Sequence, residues 1–123
     1  MSKGISTEVL FDFLAIKQGF NTCRPAEDIG YDRIVEFNGI MSRVQIKHTS
    51  SKYYGSYRVN SFRGTNRRMY GTDIDFLAVY LMPIDRWMII PSSEIKGRSM
   101  KLNVNGVSAK HLDNWGIMKK KRR

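Results

Sequence analysis

The chain has 123 residues, with 21 Lys and Arg against 11 Asp and Glu, which leaves a formal charge of +10 at neutral pH. That length suits one small domain, and a hydrophobic share of 41% is too high for a disordered basic tail. Ile74 to Ile90, the longest apolar stretch, is interrupted by Asp75, Pro83, Asp85 and Arg86, and a lone cysteine excludes an internal disulfide, so a soluble cytoplasmic chain without membrane span or signal peptide is expected.

In chain order, Ser6-Thr7 followed by Val9, Leu10, Phe13, Leu14 and Ile16 predicts a helix with a hydroxyl cap, stopped at Gly19. A short extended piece runs from Phe20 to Arg24 and ends at Pro25. Tyr31 to Phe37 and Ile40 to His48, joined by Asn38-Gly39, read as two strands of a tight hairpin. Tyr53 to Arg68 is polar, aromatic and rich in arginine, with one short strand expected at Tyr57 to Val59. Asp75 to Met82 and Trp87 to Ile90 predict two buried strands around a turn at Pro83 to Arg86. A helical turn near Ser93 to Lys96, a strand at Met100 to Val104 and a last helix from Ser108 to about Trp115 follow. The order α, several β, α predicts an α/β sandwich around a central mixed β-sheet, with an N-terminal and a C-terminal helix. Residues 1–117 form the single domain in this reading, and 118–123 a basic C-terminal tail.

A charge of +10 on so small a domain attracts polyanions, and nucleic acid leads among them. A membrane surface would ask for a long basic amphipathic helix, and none stands out.

The hairpin permits a geometric derivation. With a two-residue loop, Phe37 faces Ile40, and counting back along both strands sets Asp32 opposite Gln45. Facing residues share a face, roughly 4.5–5.5 Å apart at Cβ, and Lys47 points the same way as Gln45. Val35, Phe37, Val44 and Ile46 take the other, core face. Asp32, Gln45 and Lys47 are therefore expected together at one end of the hairpin on its non-core side. A carboxylate and an amide oxygen can hold a divalent cation, and a lysine can neutralise charge that develops on a phosphate. A surface polar patch remains the plainer alternative for any three such residues.

Gly30-Tyr31-Asp32-Arg33-Ile34-Val35 followed by Arg43-Val44-Gln45-Ile46-Lys47 resembles the PD-(D/E)xK nuclease superfamily. Tyr70 to Tyr80 and Trp87 to Pro91 are similar to the branch that contains a cyanobacterial intron-encoded homing endonuclease and small phage and bacterial nucleases. Archaeal Holliday-junction resolvases are more distant. The resemblance covers about Ser2 to Ile95. It implies a restriction-endonuclease-like fold and a magnesium-dependent endonuclease acting on DNA, with Mn²⁺ as a substitute ion, from a prokaryote or phage. It also implies a Glu8–Asp32–Gln45–Lys47 active site, in which Glu8, Asp32 and Gln45 are metal ligands and Lys47 serves the attacking water. Gln45 stands where the motif has Asp or Glu, which removes one negative charge, and Tyr31 replaces the usual proline. The alternatives are a Holliday-junction resolvase and a non-catalytic nucleic-acid-binding domain of the same fold.

Arg63, Arg67, Arg68 and Tyr53 are candidate DNA contacts, since cations hold phosphates and rings stack on bases. Asp73 and Asp75 are read as capping or strand-end residues, His48 as structural, His111 as solvated and Cys23 as a small buried side chain. One site cuts one strand, so a homodimer or higher homo-oligomer is expected.

Overall fold

Helix α1 (Thr7–Lys17) starts where the sequence places it: Ser6 is extended, and its Oγ accepts the Val9 N–H at 3.1 Å. The computed structural model describes residues 6–27, 29–50, 52–60, 62–63, 68–69, 73–95, 97 and 99–121. Among the described residues, α1 is followed by the strands β1 (Asn21–Cys23), β2 (Arg33–Phe37), β3 (Ile40–Thr49), β4 (Lys52–Tyr53), β5 (Ser56–Asn60), β6 (Phe62–Arg63), β7 (Arg68–Met69), β8 (Phe76–Leu81), β9 (Arg86–Pro91) and β10 (Ser99–Asn103).

The main sheet has the order β1-β2-β3-β8-β9. Only β3 and β8 run parallel, so the sheet is mixed, as expected. Its two faces carry separate cores. On one side Phe11 and Ala15 of α1 pack on Val35, Val44, Ile46, Phe76, Ala78, Tyr80, Trp87 and Ile89, with Trp115 and Met118 closing the layer. On the other side a three-stranded sheet, β10-β5-β4, lays Tyr57, Val59 and Leu102 over Leu77, Val79, Leu81, Met88 and Ile90. Strand β8 is buried at every position, which is why its sequence reads as one apolar run.

Three expectations need correction. The hairpin face that bears Gln45 and Lys47 is not a free surface: the β10-β5-β4 layer flanks it, because Leu77, Val79 and Leu81 on the adjacent strand must be covered. The C-terminal helix is two 3-10 segments, Val107–His111 and Trp115–Lys119, with no α-helix between them. Leu112 instead bridges to Met88, and the Asp113 N–H donates to Trp87 O at 2.7 Å, so this stretch borders the β9 edge instead of coiling. The α1 core face is Thr7, Phe11 and Ala15, while Val9, Phe13 and Ile16 stay exposed.

Candidate active site

The Asn38-Gly39 turn has positive φ at both residues, 50° and 82°, the geometry of a two-residue hairpin loop. Phe37 faces Ile40 and Arg33 faces Val44, the register derived from loop length alone. The paired register stops at Arg33–Val44, so Asp32 stands just before it and the expected Asp32–Gln45 pair is not part of the ladder. The Asp32 N–H donates to Val44 O at 2.9 Å, and its carboxylate Oδ2 accepts the Ile46 N–H at 2.8 Å. The carboxylate thus serves a strand N–H just where the β2 backbone ends, and these two bonds hold Asp32 beside the peptides on either side of Gln45. Lys47 lies two residues on, half-buried. Burial pushes the Lys47 ammonium below the ordinary lysine range, and the negative charge of Asp32 partly restores it.

Glu8 reaches this edge from α1 through a partner that the sequence reading passed over. Arg33 is only 5% exposed. Its Nε and Nη2 donate to the two carboxylate oxygens of Asp12 at 2.8 and 3.0 Å. Its Nη1 donates both to Glu8 Oε1 at 2.9 Å and to the main-chain oxygen of Asp32 at 2.7 Å. Hydrogen bonding and Coulomb attraction from Asp12, with a smaller share from Glu8, raise the Arg33 pKa above the ordinary arginine value despite burial. The signal was present in the sequence: Glu8 and Asp12 are one helical turn apart and so share a face. A second tether, Thr7 Oγ1 to His48 Nδ1 at 2.8 Å, joins the start of α1 to β3 on the other side of Glu8.

Two grooves meet at Glu8. One, of about 840 Å³, is lined by Thr7, Lys47, His48, Arg58 and Asn60 as well as Glu8. The other, of about 490 Å³, is lined by Asp32, Arg24, Tyr31 and Arg33 together with Glu8. Thr49 Oγ1 donates to Arg58 O at 2.7 Å, which fixes β5, and with it Arg58, to β3 two residues past Lys47. Among the described residues, no three side chains of the His, Cys, Asp and Glu types gather as a metal cage.

The remaining candidates divide. Asp75 has the strand-end role expected of it: its carboxylate accepts the Arg43 N–H at 2.8 Å and pairs with the Arg43 guanidinium at 3.2 Å. Asp73 contributes to the field that raises the Arg43 pKa, after Asp75 and Tyr31. His48, expected to be structural, meets Thr7 Oγ1 through Nδ1 at 2.8 Å and lines the larger groove. His111 is not solvated but buried, with Nε2 against Glu94 Oε1 at 3.0 Å, because the 3-10 segment turns it inward. Cys23 is exposed rather than buried, since the outward positions of the edge strand β1 include it. Arg67 lies outside the described residues, as do the side chains of Tyr53, Arg63 and Arg68.

A family model described as PD-(D/E)XK endonuclease matches residues 2–119. The chain belongs to that family. Its fold resembles that of the bacterial homing endonuclease I-Ssp6803I, with a TM-score of 0.77 and 24% identity over 92% of this chain and 88% of that one. It also resembles the Archaeoglobus fulgidus Holliday junction resolvase Hjc, from an archaeal hyperthermophile, with a TM-score of 0.64 and 16% identity over 99% of this chain and 100% of that one. No curated protein matches the chain. No helix among the described residues is long and apolar enough to cross a membrane.

Proposed function

We propose that this member of the PD-(D/E)XK family is a divalent-metal-dependent endonuclease that hydrolyses phosphodiester bonds in DNA, of the homing or phage type. The observation that carries the reading is the Asp32 carboxylate, held by the Ile46 N–H at the ladder end, with the half-buried Lys47 within reach of its charge. The donor set fits a hard cation: two carboxylates, Asp32 and Glu8, and the Gln45 amide oxygen, with no thiolate or imidazole. Few protein oxygens and several waters are what Mg²⁺ accepts, with Mn²⁺ as a substitute. A bound ion would supply Lewis acidity toward a phosphoryl oxygen and toward water.

The chain's own groups do the rest. Asp32 and Glu8 bring negative charge to the floor of the grooves and orient water there. Lys47 places a cation where charge grows on the phosphate in the transition state, and partial burial makes that cation more effective than it would be in water. Arg24 and Arg58, in the walls of the two grooves, are suited to the phosphates on either side. Cutting both strands of a duplex takes two copies of one site, so the active form is a homodimer or higher homo-oligomer. Cleavage assays on plasmid and on four-way-junction DNA, with Mg²⁺, Mn²⁺ or chelator, test the reading. Preference for the junction would favour a resolvase, and binding without cleavage in any metal a non-catalytic domain.

Position 45 offers a sharper check. Gln45→Glu restores the commoner carboxylate and is expected to retain cleavage and bind the ion more tightly, while Gln45→Ala removes a ligand and weakens metal binding. Metal titrations of cleavage compare the two; identical behaviour would mean that residue 45 does not touch the ion.

The +10 charge should appear as salt dependence. Neutralised phosphates release counterions, so log affinity should fall against log salt with a slope of about −0.9 per phosphate on duplex DNA. Replacing Arg63, Arg67 and Arg68 together by Ala is expected to weaken binding measured in Ca²⁺ and to flatten that slope by about 2–3 units. An affinity indifferent to salt would remove the basic surface as a nucleic-acid footprint.

A further inference from the structure

We propose that Arg33, locked by Asp12, is a positioning residue: it sets the Glu8 carboxylate at a fixed distance from Asp32 and so tunes the oxygen donors that receive the metal. The inference rests on the nuclease reading and goes beyond it, because neither Arg33 nor Asp12 would touch the ion or the substrate.

The geometry separates orientation from delivery. A guanidinium is planar, so two parallel bonds to one carboxylate fix the whole plane. Asp12 takes that pair through Nε and Nη2. The remaining donor, Nη1, is thereby aimed, and it bridges Glu8 Oε1 and Asp32 O, a contact shared by both acidic positions. The Glu8 side chain is 42% exposed and would otherwise sample several rotamers; the Arg33 side chain is 6% exposed and does not move freely. The cross-link also spans elements. Asp12 and Glu8 lie on α1, whereas Arg33 and Asp32 are consecutive at the start of β2, so the clamp fixes helix to strand at the point where the acids converge. On the far side of Glu8, the Thr7–His48 bond holds the helix start to β3 next to Lys47. A lysine at 33 keeps the charge but loses the planar fork.

A strut that only holds the fold would make the same bonds, so the test must read the metal. Mn²⁺ binding to the DNA-free protein is measured by calorimetry, and Mn²⁺ titration of cleavage in parallel, for the parent, Asp12→Asn, Arg33→Lys, Glu8→Gln and the doubles that combine Glu8→Gln with each clamp variant. Partners that orient a ligand are worth about 10–100-fold in metal affinity. Asp12→Asn and Arg33→Lys are each expected to weaken Mn²⁺ binding by about tenfold and to raise the Mn²⁺ needed for half-maximal cleavage by the same factor. In the Glu8→Gln background that factor should shrink toward one, since the clamp acts through Glu8.

Asp12 is 26% exposed, and Asp12→Asn keeps an acceptor for Arg33, so this variant decides the matter if Arg33→Lys does not fold. An unchanged Mn²⁺ affinity in folded Asp12→Asn, or a loss that persists undiminished in Glu8→Gln, would overturn the clamp while leaving the nuclease reading intact. A parent that neither binds Mn²⁺ nor cleaves would overturn the nuclease reading, and the clamp proposal with it.

Discussion

Asp32→Asn and Lys47→Met are each expected to lower cleavage by about 10²–10³-fold, the usual loss when a group that stabilises transition-state charge is removed. Both substitutions are chosen to spare the fold. Asparagine keeps an oxygen for the Ile46 N–H and loses only the charge. Methionine keeps an unbranched apolar stem of similar length and removes only the charged end. Single-turnover cleavage at saturating Mg²⁺ reads the loss, and binding in Ca²⁺ shows whether the complex still forms. Full activity in either folded variant would remove that residue from the site.

The Lys47 variant also carries a pH signature. Burial lowers the Lys47 pKa in the folded chain, so the folded state binds this proton less tightly than the unfolded chain does. That opposes folding in full below the folded pKa, and the opposition fades as pH rises from there to the ordinary lysine range. Lys47→Met escapes it, so the variant should be at least as stable as the parent at neutral pH, and its advantage should narrow at alkaline pH. Thermal melts across that range check the sign.

The hairpin was legible because its determinants are local. Asn38-Gly39 fixes the loop length, loop length fixes the register from Phe37–Ile40 to Arg33–Val44, and Asp32 follows one residue beyond it, tied to Val44 O and the Ile46 N–H rather than paired with Gln45. The β8 run was legible because a strand buried on both faces has no alternation. What escaped depends on partners distant in the chain. Arg33 reads as one more cation until α1 is laid across the sheet, and only then do Asp12 and Glu8 meet it. The second core face was hidden because its cover comes from β5 and β10, short strands in polar stretches. The β4–β5 hairpin escaped since its turn uses Tyr54-Gly55, with Tyr54 at φ 49°, where Asn or Asp would have announced it. The last helix failed for a competing reason. Asp113, at φ 51°, breaks the coil, and its carboxylate accepts the Trp87 N–H at 3.1 Å, a bond to the sheet edge that a helix would forfeit.

The second large effect concerns stability, at the aromatic cluster under α1. The Trp87 ring lies 5.1 Å from Tyr80, 5.7 Å from Phe11 and 6.0 Å from Trp115, centroid to centroid, and is 2% exposed. Trp87→Ala would open a cavity that these neighbours cannot fill, at a loss of about 3–5 kcal/mol, a large share of the ~5–15 kcal/mol that holds a typical domain. Trp87→Phe should be far milder than its lost volume suggests. The indole N–H is buried and meets no acceptor among the described residues, so phenylalanine sheds an unsatisfied donor worth about 1–3 kcal/mol while giving up part of the packing. Its net change is expected between about 0 and 2 kcal/mol. Tyr80→Phe is the contrast: the hydroxyl donates to Asp85 Oδ1 at 2.6 Å, and burial and that bond push its pKa up to about 12, so its removal forfeits a made hydrogen bond of roughly 1 kcal/mol. Urea unfolding of the three variants ranks them. If Trp87→Phe proves as damaging as Trp87→Ala, the indole nitrogen has a partner in solution and the donor is satisfied after all.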